Sequence, residues 1–175
     1  MSGLPPVEPE RDRVRGGASA PTLVVYGDYE CPYSRLAYRS VREVEDRLGD
    51  GMRFVYRHFP LTEIHPHAEA AAEAAEAAGA QGRFWPVHDA LFRHQKRLEP
   101  EDIRRYVEEA GVDLARYEAE LASEAPAVTV ARDVAGGLDA GVLGTPTLFI
   151  EGVLHEAGYD ADTLEAAMRA ARPSP

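Results

Sequence analysis

Cysteine is nearly missing from this chain: Cys31 is the single thiol in 175 residues. An intrachain disulfide is therefore excluded, and with it a small secreted framework held together by disulfides. No apolar run approaches the length of a membrane span. The first twenty residues, Met1 to Ala20, hold Pro, Glu, Arg and Gly and lack the apolar stretch of a signal peptide. These absences make a cytoplasmic protein the expectation. No Gly-rich phosphate loop, no Ser–His–Asp set and no internal repeat is visible. Positive charge is in deficit as well. The 19 Lys and Arg against 30 Asp and Glu give a net charge of -11 and a pI near 5.0. That balance argues against nucleic acid and anionic membrane surfaces as partners. The chain is 45% hydrophobic. It suffices for one globular domain, or one with a large insertion, whose core needs no staples.

The one thiol lies at an informative junction. Thr22-Leu-Val-Val-Tyr26 is a short β-branched apolar run and reads as a buried strand. From Arg35 to Leu48, apolar residues at 37, 41, 44 and 48 mark an amphipathic helix. Cys31-Pro32-Tyr33-Ser34 stands between them. Pro32 suits a first helical position, where the donor it lacks would be unpaired anyway. The free N–H groups and positive dipole end of a helix favour an anion, so a thiolate held there is favoured over the thiol. Thiolates are the nucleophiles of thiol–disulfide exchange. The competing reading of a lone cysteine is a small buried hydrophobe.

Along the chain, residues 1–12 are polar and Pro-rich and read as a mobile arm. Arg13-Val-Arg-Gly16 reads as a short edge strand. Gly49-Asp50-Gly51 stops the first helix, and Met52 to Arg57 alternates as another strand. Strand, helix, strand is a βαβ unit, so the two strands should be parallel with a right-handed crossover. A helical block follows. An Ala/Glu helix runs from Pro66 to Ala78 and is ended by Gly79, and a second carries Phe84, Val87, His88 and Leu91 on one face. A third opens on Glu99-Pro100-Glu101-Asp102 and a fourth is capped by Asp113. A fifth, preceded by Ser123, runs to about Gly141 and is weakened at Gly136-Gly137. Thr147–Ile150 and Val153–His155 read as a hairpin about Glu151-Gly152, and Asp160 caps a last helix over Ala161–Ala171. Since strands bracket the helical block, it reads as an insertion packed on one sheet.

The order βαβ then ββα, with Cys-Pro-Tyr at the first strand–helix junction and Gly144-Thr145-Pro146 before the hairpin, resembles the thioredoxin fold. The helical block makes it similar to the DsbA-like family of thiol–disulfide oxidoreductases. Further matches are Gly27-Asp28-Tyr29-Glu30 before the thiol, Arg57-His-Phe-Pro-Leu61, His65-Pro66-His67-Ala68, and Phe84-Trp85 with His88-Asp89 and Leu91-Phe92. The resemblance implies an α/β, thioredoxin-like fold. Residues 13–60 and 142–172 would form the thioredoxin-like domain and 61–141 an inserted helical subdomain. It implies Cys31 as the attacking cysteine, Pro32 and Tyr33 as the pair that tunes it, and a cis bond between Thr145 and Pro146. That loop would face the thiol and bind an extended substrate backbone.

One departure decides the chemistry. The family's second cysteine is here Ser34, and a serine cannot resolve a mixed disulfide. It can donate a hydrogen bond to a thiolate. The expectation is monothiol exchange at Cys31 with protein, peptide or low-molecular-weight disulfides, a small thiol being a co-substrate and no cofactor being bound. Two alternatives stand beside it. One is a glutathione-transferase-like or isomerase-like enzyme, similar to the kappa class, whose own serine matches Cys31 and not Ser34. The other is a non-catalytic binding module. A serine at 34 is also the replacement that traps a mixed disulfide.

Other constellations read as structure. His65-Pro66-His67 beside Glu63 and Glu69 reads as a helix start, and no metal is expected. His58 reads as a satisfied polar group, Trp85 and His88 as core or groove lining, and Tyr26, Tyr29 and Tyr33 as flanks of the thiol. Asp28 and Glu30 would disfavour the thiolate if they pointed inward. Arg35, Arg39, Arg42 and Arg47, with Glu43, Glu45 and Asp46, read as a solvated mixed face.

Overall fold

The computed structural model describes residues 3–171. The first two residues of the expected arm, and position 172 with Pro173 and Pro175, lie outside the described residues.

Five strands form one sheet in the order β1-β3-β2-β4-β5. They are β1 Arg13–Gly16, β2 Thr22–Gly27, β3 Arg53–His58, β4 Thr147–Ile150 and β5 Val153–Leu154. β2 and β3 are parallel, with Val24 opposite Val55, and every other pairing is antiparallel. Between β2 and β3 runs α1, Pro32–Leu48, followed by a 3-10 turn over Gly49–Gly51. Five helices separate β3 from β4: α2 Ala68–Gly79, α3 Phe84–Arg93, α4 Pro100–Glu109, α5 Leu114–Ala122 and α6 Ala125–Asp139. The chain closes with α7, Ala161–Ala170, capped by Asp160.

Strand alternation splits the core in two. Leu23 and Val25 of β2 face Val41 and Val44 of α1, the alanines of α2 and the aromatic face of α3. Val24 and Tyr26 face the opposite way, toward Phe59, Val142 and Phe149. α2 packs closely because its inner face is almost wholly alanine: Ala71, Ala74, Ala75, Ala77 and Ala78 are all buried.

Three features differ from the sequence reading. Residues 3–12 are docked and not free. Leu4 and Val7 pack against the second cluster, and Asp12 meets Arg57 through two bonds of 2.9 and 3.0 Å. Arg57 also donates to Pro5 O and Pro6 O. A buried guanidinium requires such partners, and this proline-rich segment supplies them. The second difference is the end of α2. Gly79 lies inside the helix, and the left-handed residue is Gly82, at φ +71°. The third is Gly136-Gly137, which does not interrupt α6. A Cβ on Gly137 would lie 2.8 Å from Phe59 Cδ2 and 3.0 Å from Tyr26 Cε1, so the glycine lets α6 approach the sheet.

Candidate active site

Cys31 is the residue before the first turn of α1, extended at φ -72° and ψ 119°, with Pro32 at the first helical position. Its thiol donates to Thr145 O at 3.3 Å. The Thr145–Pro146 bond is cis. Sequence positions 114 apart thus meet across the carboxyl end of β2. Cys31 is 4% exposed, beside Pro32 and Tyr33, which are exposed. Burial raises the Tyr159 phenol above the usual tyrosine range, and Cys31 and Tyr33 add to the shift electrostatically.

The turn carrying the thiol is fixed by carboxylates and one amide. Asp28 is 1% exposed. Its Oδ1 accepts from Glu30 N–H at 2.7 Å and Cys31 N–H at 3.2 Å, and its Oδ2 accepts from Leu61 N–H at 2.8 Å. His65 Nδ1 lies 2.7 Å from the same Oδ2. Glu30 accepts from His67 N–H at 2.7 Å. Both acids therefore bind the β2–α1 turn to the segment that precedes α2. Gln95, just beyond α3, donates through Nε2 to Tyr29 O and to Cys31 O, each at 2.8 Å. Among the residues that hold this turn, Gln95 is the one no sequence motif singled out. Its contacts join positions 64 and 66 apart, beyond the reach of local pattern.

Ser34 is brought to the same turn but is 2% exposed. Its hydrogen bond is with the Asp28 N–H, which it accepts at 3.2 Å. This contact gives the N–H at the end of β2 the acceptor it needs. Thr145 Oγ1 is buried without a hydrogen-bond partner.

The histidines have other settings. Tyr29 OH and His88 Nδ1 are 2.9 Å apart, and burial drives His88 well below the ordinary histidine range, so the imidazole is neutral. Burial likewise raises Tyr29 and Tyr56 well above the ordinary range. His58 Nε2 lies 2.9 Å from Glu76 Oε1, and Arg13 pairs with the same carboxylate. Burial pushes Glu76 up, but the hydrogen bonds from His58 and Arg13 outweigh it and hold the carboxyl down to about 2. His65 and His67 point to separate partners, Asp28 and Glu99. Among the described residues no group of three or more His, Cys, Asp or Glu is placed to hold a metal ion.

This arrangement places a lone thiol at a helix start against a backbone carbonyl on a cis-proline loop, with no second thiol in the chain. Known proteins share the fold. A family model described as the DSBA-like thioredoxin domain matches residues 22–170. A thioredoxin-like oxidoreductase from Silicibacter pomeroyi DSS-3 superposes with a TM-score of 0.83 at 27% identity, covering 94% of each chain. BdbD from Bacillus subtilis, in its oxidised form, gives a TM-score of 0.83 at 20% identity over 98% of this chain and 97% of that one. The curated relative "Na(+)/H(+) antiporter NhaA 1" of Salinispora arenicola is 48% identical over 167 residues, which is 95% of this chain and 26% of the antiporter. The chain spans about a quarter of the length of the curated relatives it matches.

Proposed function

Because the chain belongs to the DsbA-like thioredoxin domain family of thiol–disulfide oxidoreductases, we propose that it exchanges disulfides as a monothiol through Cys31. The observation that carries this reading is the contact of Cys31 Sγ with Thr145 O at 3.3 Å, in a chain whose second motif position is Ser34. In the first step the Cys31 thiolate attacks one sulfur of a protein, peptide or small disulfide. A new S–S bond forms, the old one breaks, and the other half leaves as a thiolate. A low-molecular-weight thiol then attacks the mixed disulfide and regenerates Cys31. No external oxidant or reductant enters, since the sulfur redox state is passed from one partner to the other.

Each remaining site residue takes a part. Pro32 leaves the helix start open around the sulfur, and Tyr33, 61% exposed, offers an aromatic face to a substrate. Thr145 and Pro146 present backbone to an extended chain. Ser34 braces the turn through Asp28. A lone thiol suits a reducing compartment, where small thiols are abundant, and this supports action in the cytoplasm. No helix among the described residues is long and apolar enough to cross a membrane.

Mass spectrometry of the protein after incubation with oxidised glutathione tests the reading. A glutathionyl adduct on Cys31, released by reduced glutathione and missing from Cys31→Ala, is the expected result. A folded protein that binds glutathione without forming the adduct would point to transferase-like chemistry instead. Partner binding that persists unchanged in Cys31→Ala would point to a binding module.

A further inference from the structure

The cations of this acidic chain are distributed unevenly. Arg47 lies among Glu43, Asp162 and Glu165, Arg15 lies on Glu45, and Arg104 on Glu118. Among the described residues, Arg35, Arg39, Arg93 and Lys96 have no carboxylate within 4.0 Å, and neither do the scattered Arg53, Arg83 and Arg116. Arg35, Arg93 and Lys96 lie on two segments that meet at the Cys31 carbonyl, the first turn of α1 and the end of α3 with the residues after it, and Arg93 Nε donates back to Asp89 O at 3.2 Å. Arg35 N–H donates to Cys31 O at 3.2 Å. The Arg35 guanidinium reaches Arg93 O at 3.4 Å, joining the first turn of α1 to the end of α3. Gln95, between Arg93 and Lys96 in sequence, donates to that same Cys31 carbonyl. Arg39 stands one turn further along α1, on the face of Arg35. The neighbouring acids are engaged elsewhere: Glu30 with His67 N–H, Glu99 with His67 Nε2, and Asp89 with Arg15 at 3.8 Å. Arg35 and Arg39 belong to the solvated mixed face of α1, and they are the two of its four arginines without a carboxylate within 4.0 Å.

We propose that Arg35, Arg93 and Lys96 form an anion-recognition rim beside Cys31, and that the small disulfide or thiol exchanged there carries a carboxylate near its sulfur. This rests on the exchange reading given above. Three arguments support it. A single thiol requires an incoming second thiol to clear its adduct. A cysteine 4% exposed is more accessible to a small molecule than to a folded protein surface. Unpaired cations at a helix start add to the positive end of the helix dipole and draw anions toward the sulfur. The net charge of -11 alone would repel a dianion, so the sign of the charge preference discriminates local from global electrostatics.

Three disulfides of similar size test the rim: 3,3′-dithiodipropionate (dianion), 2-hydroxyethyl disulfide (neutral) and cystamine (dication). The rate of adduct formation on Cys31 is measured for the wild type and for the triple variant Arg35→Gln, Arg93→Gln, Lys96→Gln. Dividing wild type by variant cancels the intrinsic reactivity of each disulfide. The expected ratio is about ten for the dianion, about one for the neutral compound and below one for the dication, converging on one as sodium chloride is added. The triple variant Arg53→Gln, Arg83→Gln, Arg116→Gln removes the same charge elsewhere and should leave the dianion rate unchanged. In the wild type alone, salt should slow the dianion and speed the dication, a readout that survives if the rim variant folds poorly. Equal ratios for the three compounds, or an equal effect of the remote variant, would overturn the rim. If the neutral disulfide adds to Cys31 but no charge order appears, only the rim falls. If it forms no adduct at all, the exchange reading falls first.

Discussion

Gln95 and Cys31 are joined by a 2.8 Å hydrogen bond from the glutamine amide to the cysteine carbonyl, and the same amide nitrogen reaches Tyr29 O at 2.8 Å. One side chain of the helical block thus grips the turn that carries the thiol, and couples the packing of α3 to the geometry at the sulfur. Gln95→Ala removes both bonds and should cost about 2 kcal/mol in urea unfolding, at about 1 kcal/mol per bond. Gln95→Glu should cost more, because a carboxylate facing two carbonyls can neither donate nor remain solvated. Adduct formation at Cys31 should slow in both. Unchanged unfolding midpoints would show that the turn holds itself.

Ser34→Cys should restore a second thiol inside the first turn of α1. Mild oxidation should then consume both thiols in a thiol titration, and mixed disulfides with glutathione should no longer accumulate. The sulfur is a weaker acceptor for the Asp28 N–H than the serine oxygen at 3.2 Å, so a loss of about 1 kcal/mol in stability should accompany the change. Two thiols that remain titratable after oxidation would show that the buried setting of position 34 keeps its side chain away from Cys31.

How much of this was legible in the sequence follows the range of the interactions. The β2–α1 junction was readable because its determinants are local: a β-branched run, a proline at the first helical position and a regular apolar spacing. The Gly144-Thr145-Pro146 loop was readable only through resemblance, since nothing within ten residues of it points to Cys31. The docking of residues 3–12 was not readable. It depends on Arg57, some 45 positions away from Asp12, whose need for a partner appears only once β3 is buried. Gln95 failed to stand out for the same reason. The pairing pattern on α1 was not readable either, because helical spacing reports which side chains share a face, not which acids are claimed by other cations, as Glu45 is by Arg15.

Gly137 illustrates a residue whose role inverts between sequence and structure. Read locally, it weakens a helix. In place, its missing side chain lets α6 lie against Tyr26 and Phe59. Gly137→Ala should therefore destabilise by about 1–3 kcal/mol despite the gain in helix propensity, because a Cβ would sit 2.8 Å from a phenylalanine ring atom. Gly136→Ala meets Pro5 Cγ at 3.1 Å, a looser contact than the 2.8 Å at Gly137, and should cost less. Unfolding midpoints of the two variants give the comparison, and a Gly137→Ala protein as stable as the wild type would refute the packing argument.

Stability should fall with acid in two stages set by two buried groups. Burial holds His88 well below its ordinary value of 6.5. Below pH 6.5 the unfolded chain takes up a proton there that the native state refuses, so stability declines as pH falls past that point. Glu76 acts lower. Its unfolded value is 4.5 and its native value about 2, so its contribution is complete above 4.5 and is lost as pH falls from 4.5 toward 2. Asp133 works against this trend, since burial raises its carboxyl and the native state gains a proton more readily than the unfolded chain. The Glu76 stage is separable by mutation. Glu76→Gln keeps an acceptor near His58 but loses the charge that Arg13 requires, so it should be less stable at neutral pH. Its stability should then change little between pH 4.5 and 2, where the wild type declines steeply. Urea midpoints measured across pH for both proteins provide the test, and parallel curves in the acid range would place the lower transition on a different group.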